Sequence, residues 1–372
     1  MSINNSYKEE RLFGRYITND HIAPLLENLP PKFEVSTIGY SVDLSPIYCV
    51  SVGQGSNKIL MWSQMHGNES TTTKALFDLF NYLEANDDIL NNCSLVIIPI
   101  LNPDGADEYT RMNAADVDLN RDAQRLSQPE SKLLRMVFDS FKPDYCFNLH
   151  GQRTIFSAGN TDKSATISFL SPAEDEKRSV TTTRKKAMNL IVAMYKQLEK
   201  ALPGQIGRYD DGFNLNCVGD TFQRLGVPTV LFEAGHYTND YHRELTRAYV
   251  FEALIVALNY ISKDLVEAND DGYLDIPENQ KLFYDIIIRN AKIGSELLDV
   301  GVQYQEEFDG ETIEFIPKID KIGDLKHHFG HREMNANGVE VLKVDEQKIK
   351  EGEELDSVRI KNELFSLKLT NI

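Results

Sequence analysis

The sequence contains no uninterrupted apolar stretch approaching the ~18 residues that a transmembrane helix requires, so no membrane-spanning segment is expected. Its first residues, MSINNSYKEERLFGRY, lack the apolar centre of a secretory signal peptide. The cysteines are few, far apart and never in a CxxC pair, which argues for reduced thiols and against a cysteine zinc site; they are Cys49, Cys93, Cys146 and Cys217. These absences together favour a cytoplasmic protein.

Basic residues are also scarce. The chain has 39 Lys and Arg against 57 Asp and Glu, a formal net charge of −18. Because like charges repel, this balance disfavours nucleic acids and anionic membrane surfaces as partners. The 372 residues, 41% of them hydrophobic, are enough to bury a sizeable core. A large domain with a smaller appendage fits this length.

Short apolar runs alternate with amphipathic segments over the first 260 or so residues. Runs such as SLVIIPIL and VPTVLFEAG are typical of strands buried on both faces. Helical spacing of apolar residues predicts helices over residues 71–86, 128–141, 183–202 and about 241–261. This alternation indicates an α/β fold with a mixed, partly parallel sheet flanked by helices.

The composition changes near residues 263–280, which are acidic and rich in turn formers. Beyond this segment the sequence predicts a helix over residues 280–298, followed by alternating stretches such as ETIEFIPKI that predict short strands. We therefore expect a main domain over residues 1–265. Residues 266–372 are expected to form a helix and a small C-terminal β-rich appendage.

Chemically capable side chains come directly after the predicted strands, where α/β sheets place their sites. His66 and Glu69 follow one strand at HxxE spacing, His150 ends a second strand, and Glu233 ends a third. A catalytic zinc ion often takes three such ligands and leaves a fourth position open. Glu233 could then act as a base, since burial would raise its proton affinity. By residue type alone, ordinary polar residues at strand ends remain an alternative.

Two arginines add the positive charge that amide hydrolysis needs. Arg111 is a candidate to stabilise a developing oxyanion. Arg121, with Asn120 beside it in VDLNRD, is a candidate to bind a substrate carboxylate, because guanidinium groups bind carboxylates in a bidentate manner. A structural ion pair and a cap are the alternative explanation for these two neighbours.

The order of HGNE, NPDG, R-x-N-x-x-x-VDLNR, a strand ending in His and a strand ending in Glu resembles the zinc metallocarboxypeptidases of the carboxypeptidase A type. The motifs cover roughly residues 40–260. This resemblance implies the fold of that family and a zinc-dependent hydrolase that cleaves a C-terminal peptide or isopeptide bond with zinc-activated water. The implied partner is a peptide or acylated amino acid with a free carboxylate.

Residue by residue, the resemblance implies that His66, Glu69 and His150 bind Zn²⁺. It implies that Arg111 polarises the scissile carbonyl and that Glu233 is the general base. A further set would hold the substrate: Asn120 and Arg121 bind its terminal carboxylate, and Tyr209 is the nearest match to the family's mobile tyrosine. The sequence departs from the family pattern in reading DLNRDAQ and NLHGQ.

Two other functions stay open. A zinc-dependent acyl-amino-acid deacylase of the aspartoacylase and succinylglutamate desuccinylase type shares HxxE and a C-terminal β domain, and NLHGQ leans that way. A catalytically silent binding protein is disfavoured, because every ligand, base and arginine is retained. A histidine-rich stretch, KHHFGHRE, invites a second metal site, but a solvated loop is the simpler interpretation.

Overall fold

A computed structural model describes residues 5–369. Within them the helices are α1 (Asn19–Glu27), α2 (Thr71–Ala85), α3 (Pro103–Asp107), α4 (Pro129–Phe141), α5 (Thr182–Leu198), α6 (Val218–Arg224) and α7 (Glu244–Ser262), with 3₁₀ turns at Asn5–Tyr7 and Leu119–Arg121. The strands of the first half are β1 (Glu34–Tyr40), β2 (Pro46–Val52), β3 (Asn57–Ser63), β4 (Cys93–Ile98), β5 (Tyr145–Gly151), β6 (Phe156–Ala158), β7 (Ile167–Leu170), β8 (Ile206–Arg208) and β9 (Thr229–Ala234). The later strands are β10 (Asn279–Lys281), β11 (Phe283–Ile293), β12 (Glu296–Phe308), β13 (Ile313–Gly323), β14 (Phe329–Asn335), β15 (Val341–Leu342), β16 (Ser357–Ile360) and β17 (Glu363–Ser366).

The chain divides into two compact units. Among the described residues, the first contains residues 5–152 and 165–279, and the second contains residues 153–164 and 280–369. We expected a division after residue 265. The observed division instead follows residue 279 and assigns the short segment 153–164 to the second unit.

The first unit is built on an eight-stranded sheet in the order β1-β2-β4-β3-β5-β9-β7-β8. The central pairs β4–β3, β3–β5 and β5–β9 are parallel, whereas β1–β2, β2–β4 and β7–β9 are antiparallel. The predicted mixed, partly parallel sheet is therefore confirmed. Because β3, β5 and β9 are parallel neighbours, their carboxyl ends lie side by side at one edge.

The apolar run at β3 shows why this sheet has helices on both faces. Successive strand side chains point to opposite faces. Ile59 and Met61 belong to a core cluster that also contains buried residues of α2, α5 and α7. Leu60 and Trp62 belong to a second cluster with buried residues of α4 and α6. All four side chains are buried, so a continuous apolar run is required rather than an alternating one.

The helices predicted for the first unit are confirmed as α2, α4, α5 and α7. Within residues 5–369, no helix combines the length and apolar composition needed to cross a bilayer.

The second unit is β-rich, as expected for the C-terminal appendage. Its largest sheet has the order β13-β12-β11-β14, and β15, β16 and β17 form a smaller one. The helix predicted over residues 280–298 was wrong, because this stretch forms β11 and the start of β12. The consecutive residues Ile286, Ile287 and Ile288 are all fully buried between β12 and β14. A fully buried central strand and a buried helix give the same apolar run, so periodicity alone could not separate them.

Candidate active site

The turn after β3 presents the HGNE motif before α2 begins at Thr71. Gly67 in this turn lies against the NPDG motif, which forms the start of α3. A Cβ atom at Gly67 would lie 1.9 Å from the carbonyl carbon of Gly105, so only glycine allows the turn to approach α3 this closely. Asn102 completes the junction by donating hydrogen bonds to the carbonyls of Met65 and Met112. The two motifs therefore hold each other in place beside the predicted metal ligands.

His66, Glu69 and His150 converge on one point. The Nδ1 atom of His66 lies 2.9 Å from Oε1 of Glu69, and the Nδ1 atom of His150 lies 2.8 Å from Oε2 of the same carboxylate. The ligand atoms of these residues all lie within 4.8 Å of one another. In the described part of the chain, no other cluster of His, Cys, Asp and Glu has this arrangement.

The donor set fits zinc. Two imidazole nitrogens and a carboxylate are a known set for catalytic zinc, and they leave a position open. Both histidines are 2% exposed, and the Glu69 side chain is 13% exposed. Buried polar atoms that lack a partner are unfavourable. A metal ion bound between the two Nδ1 atoms, which lie 3.2 Å apart, would give both of them a partner.

Asp118 is a further member of this site that the sequence analysis did not single out. Its Oδ1 atom lies 3.0 Å from Nε2 of His66. A carboxylate at this position holds the Nε2 proton of the imidazole and turns the Nδ1 lone pair toward the metal position. The available signal was its place in VDLNRD, two residues before Asn120.

Charge governs the protonation of the metal ligands. Burial alone would lower the pKa of His66, but the carboxylates of Glu69 and Asp118 outweigh it and raise that pKa to about 9. Burial would raise the pKa of Glu69, yet His66 and His150 hold it well below its usual range. A metal ion requires neutral imidazole and ionised carboxylate, so it competes with a proton at His66.

Arg111 lies at the same cluster with a partly exposed side chain. Its Nε and Nη2 atoms donate to Oδ2 of Asp118 at 3.1 and 3.0 Å. Its Nη1 atom lies 3.6 Å from Oε1 of Glu69. The side chain is 43% exposed. The guanidinium is therefore fixed beside the metal position while one side still faces solvent.

Glu233 lies next to His150 as its register partner across the parallel strands β5 and β9. Its side chain is buried, and its Oε2 atom has no hydrogen-bond partner within residues 5–369. Burial and the negative charge of Glu69 raise the pKa of Glu233 well above its usual range. A carboxylate with an open oxygen and a raised pKa is what a general base requires.

Asn120 and Arg121 form part of the 3₁₀ turn that follows Asp118. The Oδ1 atom of Asn120 accepts a hydrogen bond of 3.0 Å from the amide of Val218 at the start of α6. The Nη1 atom of Arg121 donates to its neighbour's carbonyl at 2.7 Å and to Sγ of Cys217 at 3.2 Å. Arg121 is otherwise exposed, and its contacts place it against the start of α6.

Tyr209 follows β8, and its amide donates to the carbonyl of Phe169 at 2.9 Å. Burial raises the pKa of its phenol, and the negative charges of Glu233 and Glu69 raise it further. The phenol therefore lies within electrostatic range of Glu233 and Glu69.

The histidine-rich stretch of the second unit forms no second metal cluster among the described residues. His331 lies on β14 rather than in a loop. Its ring stacks on Phe283 with a centroid distance of 4.5 Å, and its Nε2 atom lies 2.9 Å from the carbonyl oxygen of Thr154. This histidine is part of the packing of the second unit.

Residues 19–125 match the model of the zinc carboxypeptidase family. This stretch contains the HGNE, NPDG and DLNR motifs. The resemblance to the zinc carboxypeptidases is confirmed. His150 and Glu233 lie beyond the matched residues, so their place in the site rests on the geometry of β5 and β9.

Two similar proteins carry carboxypeptidase names. Carboxypeptidase 2 of Trichophyton rubrum is 29% identical over 101 residues, which are 26% of this chain and 19% of that protein. Carboxypeptidase SOL1 of Arabidopsis thaliana is 27% identical over 163 residues, 37% of this chain and 33% of that protein. The chain thus spans between about a fifth and a third of the length of these curated relatives.

Solved structures share the fold over a larger part of the chain. Carboxypeptidase A of Helicoverpa armigera matches with a TM-score of 0.54 and 16% identity, over 67% of this chain and 74% of that one. The metallo-carboxypeptidase of Burkholderia cenocepacia matches with a TM-score of 0.53 and 20% identity, over 67% and 70% of the two chains. At these identities, the similarity establishes the zinc carboxypeptidase fold.

Proposed function

We propose that this protein is a zinc-dependent metallocarboxypeptidase that removes the C-terminal residue of a peptide with a free carboxylate. The observation that carries the proposal is the convergence of His66, Glu69 and His150 beside a buried carboxylate with an open oxygen, Glu233. A family match over residues 19–125 supports it.

Zinc bound by these residues would supply a Lewis acid that polarises a carbonyl and lowers the pKa of water. Glu233 takes a proton from the attacking water at its open Oε2 atom and afterwards gives it to the leaving amine. Burial and the charge of Glu69 raise the pKa of Glu233, so its carboxylate takes up a proton more readily than an ordinary glutamate does.

The two arginines interact with different negatively charged groups of the substrate. Arg111 is held by Asp118 beside the metal position, where it stabilises negative charge that develops on the scissile carbonyl oxygen. Arg121 and Asn120 bind the terminal carboxylate, and Tyr209 contacts the substrate from the loop after β8. Ordered donors of this kind stabilise the transition state without rearranging during the reaction.

A zinc-dependent deacylase of N-acyl amino acids is the second candidate. The β-rich second unit favours it, because the aspartoacylase-like enzymes resemble this chain in having a C-terminal β domain. Both substrate classes carry a free α-carboxylate, so Arg121 serves either one. The family match and the names of the relatives favour the peptidase.

The test is to incubate the zinc-loaded protein with peptides and N-acyl amino acids and to identify the products by mass spectrometry. Each peptide is supplied with a free and with an amidated carboxyl end. We expect loss of one C-terminal residue from the free-ended peptides alone, and no product with Glu233→Gln. Cleavage of the N-acyl amino acids alone would assign the protein to the deacylases. Zinc binding with no product from either class would contradict both proposals.

A further inference from the structure

Arg243 joins the ends of the two strands that carry His150 and Glu233. Its Nη1 atom donates to the carbonyl of Ala234 at 2.6 Å, and its Nη2 atom donates to the carbonyl of Gln152 at 2.8 Å. Ala234 directly follows Glu233 on β9, and Gln152 follows His150 by two residues on the chain of β5. One guanidinium therefore bridges the backbone immediately beyond a metal ligand and the backbone immediately beyond the base.

This bridge adds to a direct backbone contact between the same two strand ends. The amide of Gln152 donates to the carbonyl of Ala234 at 2.9 Å, and the register of β5 and β9 ends at the pair Gly151 and Ala234. Arg243 is 1% exposed. Without its guanidinium the two carbonyls would lose a hydrogen bond that water could not readily replace at this buried position. A planar guanidinium donates two N–H groups in a fixed geometry, and that geometry sets the distance between two acceptors.

The backbone at Arg243 is shaped for this contact. Arg243 directly precedes α7 and adopts a left-handed conformation, with φ of 61° and ψ of 30°, which is unfavourable for a residue with a Cβ atom. Asp240 holds the turn, since its carboxylate accepts hydrogen bonds from the amides of Glu244 and Thr246 at 2.8 and 2.9 Å. The strained backbone directs the guanidinium away from α7 and toward the strand ends.

We propose that Arg243 is a positioning residue for the active site, and that it fixes His150 and Glu233 relative to one another by binding the carbonyls of Gln152 and Ala234. The inference rests on the proposed function and adds to it a residue that touches neither metal nor substrate. Its positive charge also acts on the base, because it partly offsets the rise in the pKa of Glu233 that burial and Glu69 cause.

The test measures zinc affinity and kinetics separately in Arg243→Met and Arg243→Lys. Zinc affinity is measured by competition with a chromophoric chelator, and kcat and KM are measured on a free-ended peptide. In Arg243→Met we expect about 10- to 100-fold weaker zinc binding and a similar loss of kcat, with KM within about twofold. Arg243→Lys should recover part of the loss, because an ammonium keeps the charge but lacks the two-pronged geometry.

Arg247→Lys is the matched control. Arg247 is also 1% exposed and also donates to two backbone carbonyls, those of Glu9 and Leu12. The Arg247→Lys variant, which lacks this guanidinium, should have a lower unfolding temperature but unchanged zinc affinity and kcat. Equal zinc affinity and kcat in wild type and both Arg243 variants, with only a lower unfolding temperature, would overturn the proposal. If the wild type cleaves no peptide, the zinc affinities of Arg243→Met and Arg243→Lys still test the positioning role, independently of the peptidase activity.

Discussion

Asp118 holds His66 by a contact of 3.0 Å between Oδ1 and Nε2, on the side of the ring opposite the metal position. The other oxygen of Asp118 binds Arg111. One carboxylate thus orients a metal ligand and the residue proposed to polarise the substrate. The segment that carries the DLNR motif therefore contacts the candidate metal site through Asp118.

Asp118→Asn should therefore weaken zinc binding by about 10-fold or more, because loss of a carboxylate behind a metal-binding histidine typically costs that much. The measurement is a competition titration with a chromophoric chelator. Asp116→Asn is the control, since Asp116 is exposed and close in sequence, and Asn also tolerates its left-handed backbone, with φ of 56°. Unchanged zinc affinity in Asp118→Asn would remove Asp118 from the metal site.

Glu233→Gln should lower kcat by about 10²- to 10⁴-fold while zinc remains bound. The amide keeps the shape of the side chain but cannot take a proton from water. Steady-state kinetics on a free-ended peptide and metal analysis of the same preparation are the measurements. A variant that keeps its zinc and retains more than a tenth of the wild-type kcat would show that another group is the base.

Arg121→Gln should abolish the preference for a free over an amidated carboxyl end. A hydrogen bond to a charged group contributes about 1.5–3 kcal/mol, so kcat/KM on free-ended peptides should fall roughly 10- to 150-fold. Arg125→Gln is the control, because Arg125 is exposed in the same segment. If both variants keep the preference, the carboxylate binds elsewhere and the contact of Arg121 with Cys217 is structural.

Asp220→Asn should stabilise the protein above pH 6. Burial raises the pKa of Asp220 to about 6, so the folded state holds this proton more tightly than the unfolded state. Stability then falls as the pH rises from about 4 to 6, and the full cost remains at higher pH. The Asn variant avoids this cost, about 1–2 kcal/mol after allowance for solvent screening. Thermal unfolding at pH 4 and pH 7.5 measures the difference, which should vanish at the lower pH.

Asp211→Asn should instead lower the unfolding temperature at pH 7.5. Burial would raise the pKa of Asp211, but Arg184 and Arg178 outweigh it and hold the pKa below its usual range. This carboxylate therefore stabilises the fold at pH 7.5, and the contribution is lost as the pH falls below about 4. If both Asp variants shift the unfolding temperature in the same direction at pH 7.5, local charge does not govern these positions.

The fold class of the first unit and most residues of the candidate site could be predicted from the amino-acid sequence. Apolar runs at strands buried on both faces predicted a partly parallel sheet, and polar residues after those runs marked its active edge. His66, Glu69 and His150 could be named in advance, because parallel strands bring their carboxyl ends to one edge whatever the details of packing. The order of the motifs predicted the remaining site residues through the resemblance to the zinc carboxypeptidases.

The other residues that contact this edge depend on how distant segments pack together, which no local pattern predicts. The side chain of Asp118 could have faced solvent, and only the folding of the DLNR turn against His66 brings its carboxylate to the Nε2 atom of that histidine. Arg243 carries no motif, and its contacts with Gln152 and Ala234 join segments far apart in the chain. The strand at Phe283–Ile293 was likewise undetermined, because burial between two neighbouring strands and burial in a helix select the same apolar residues.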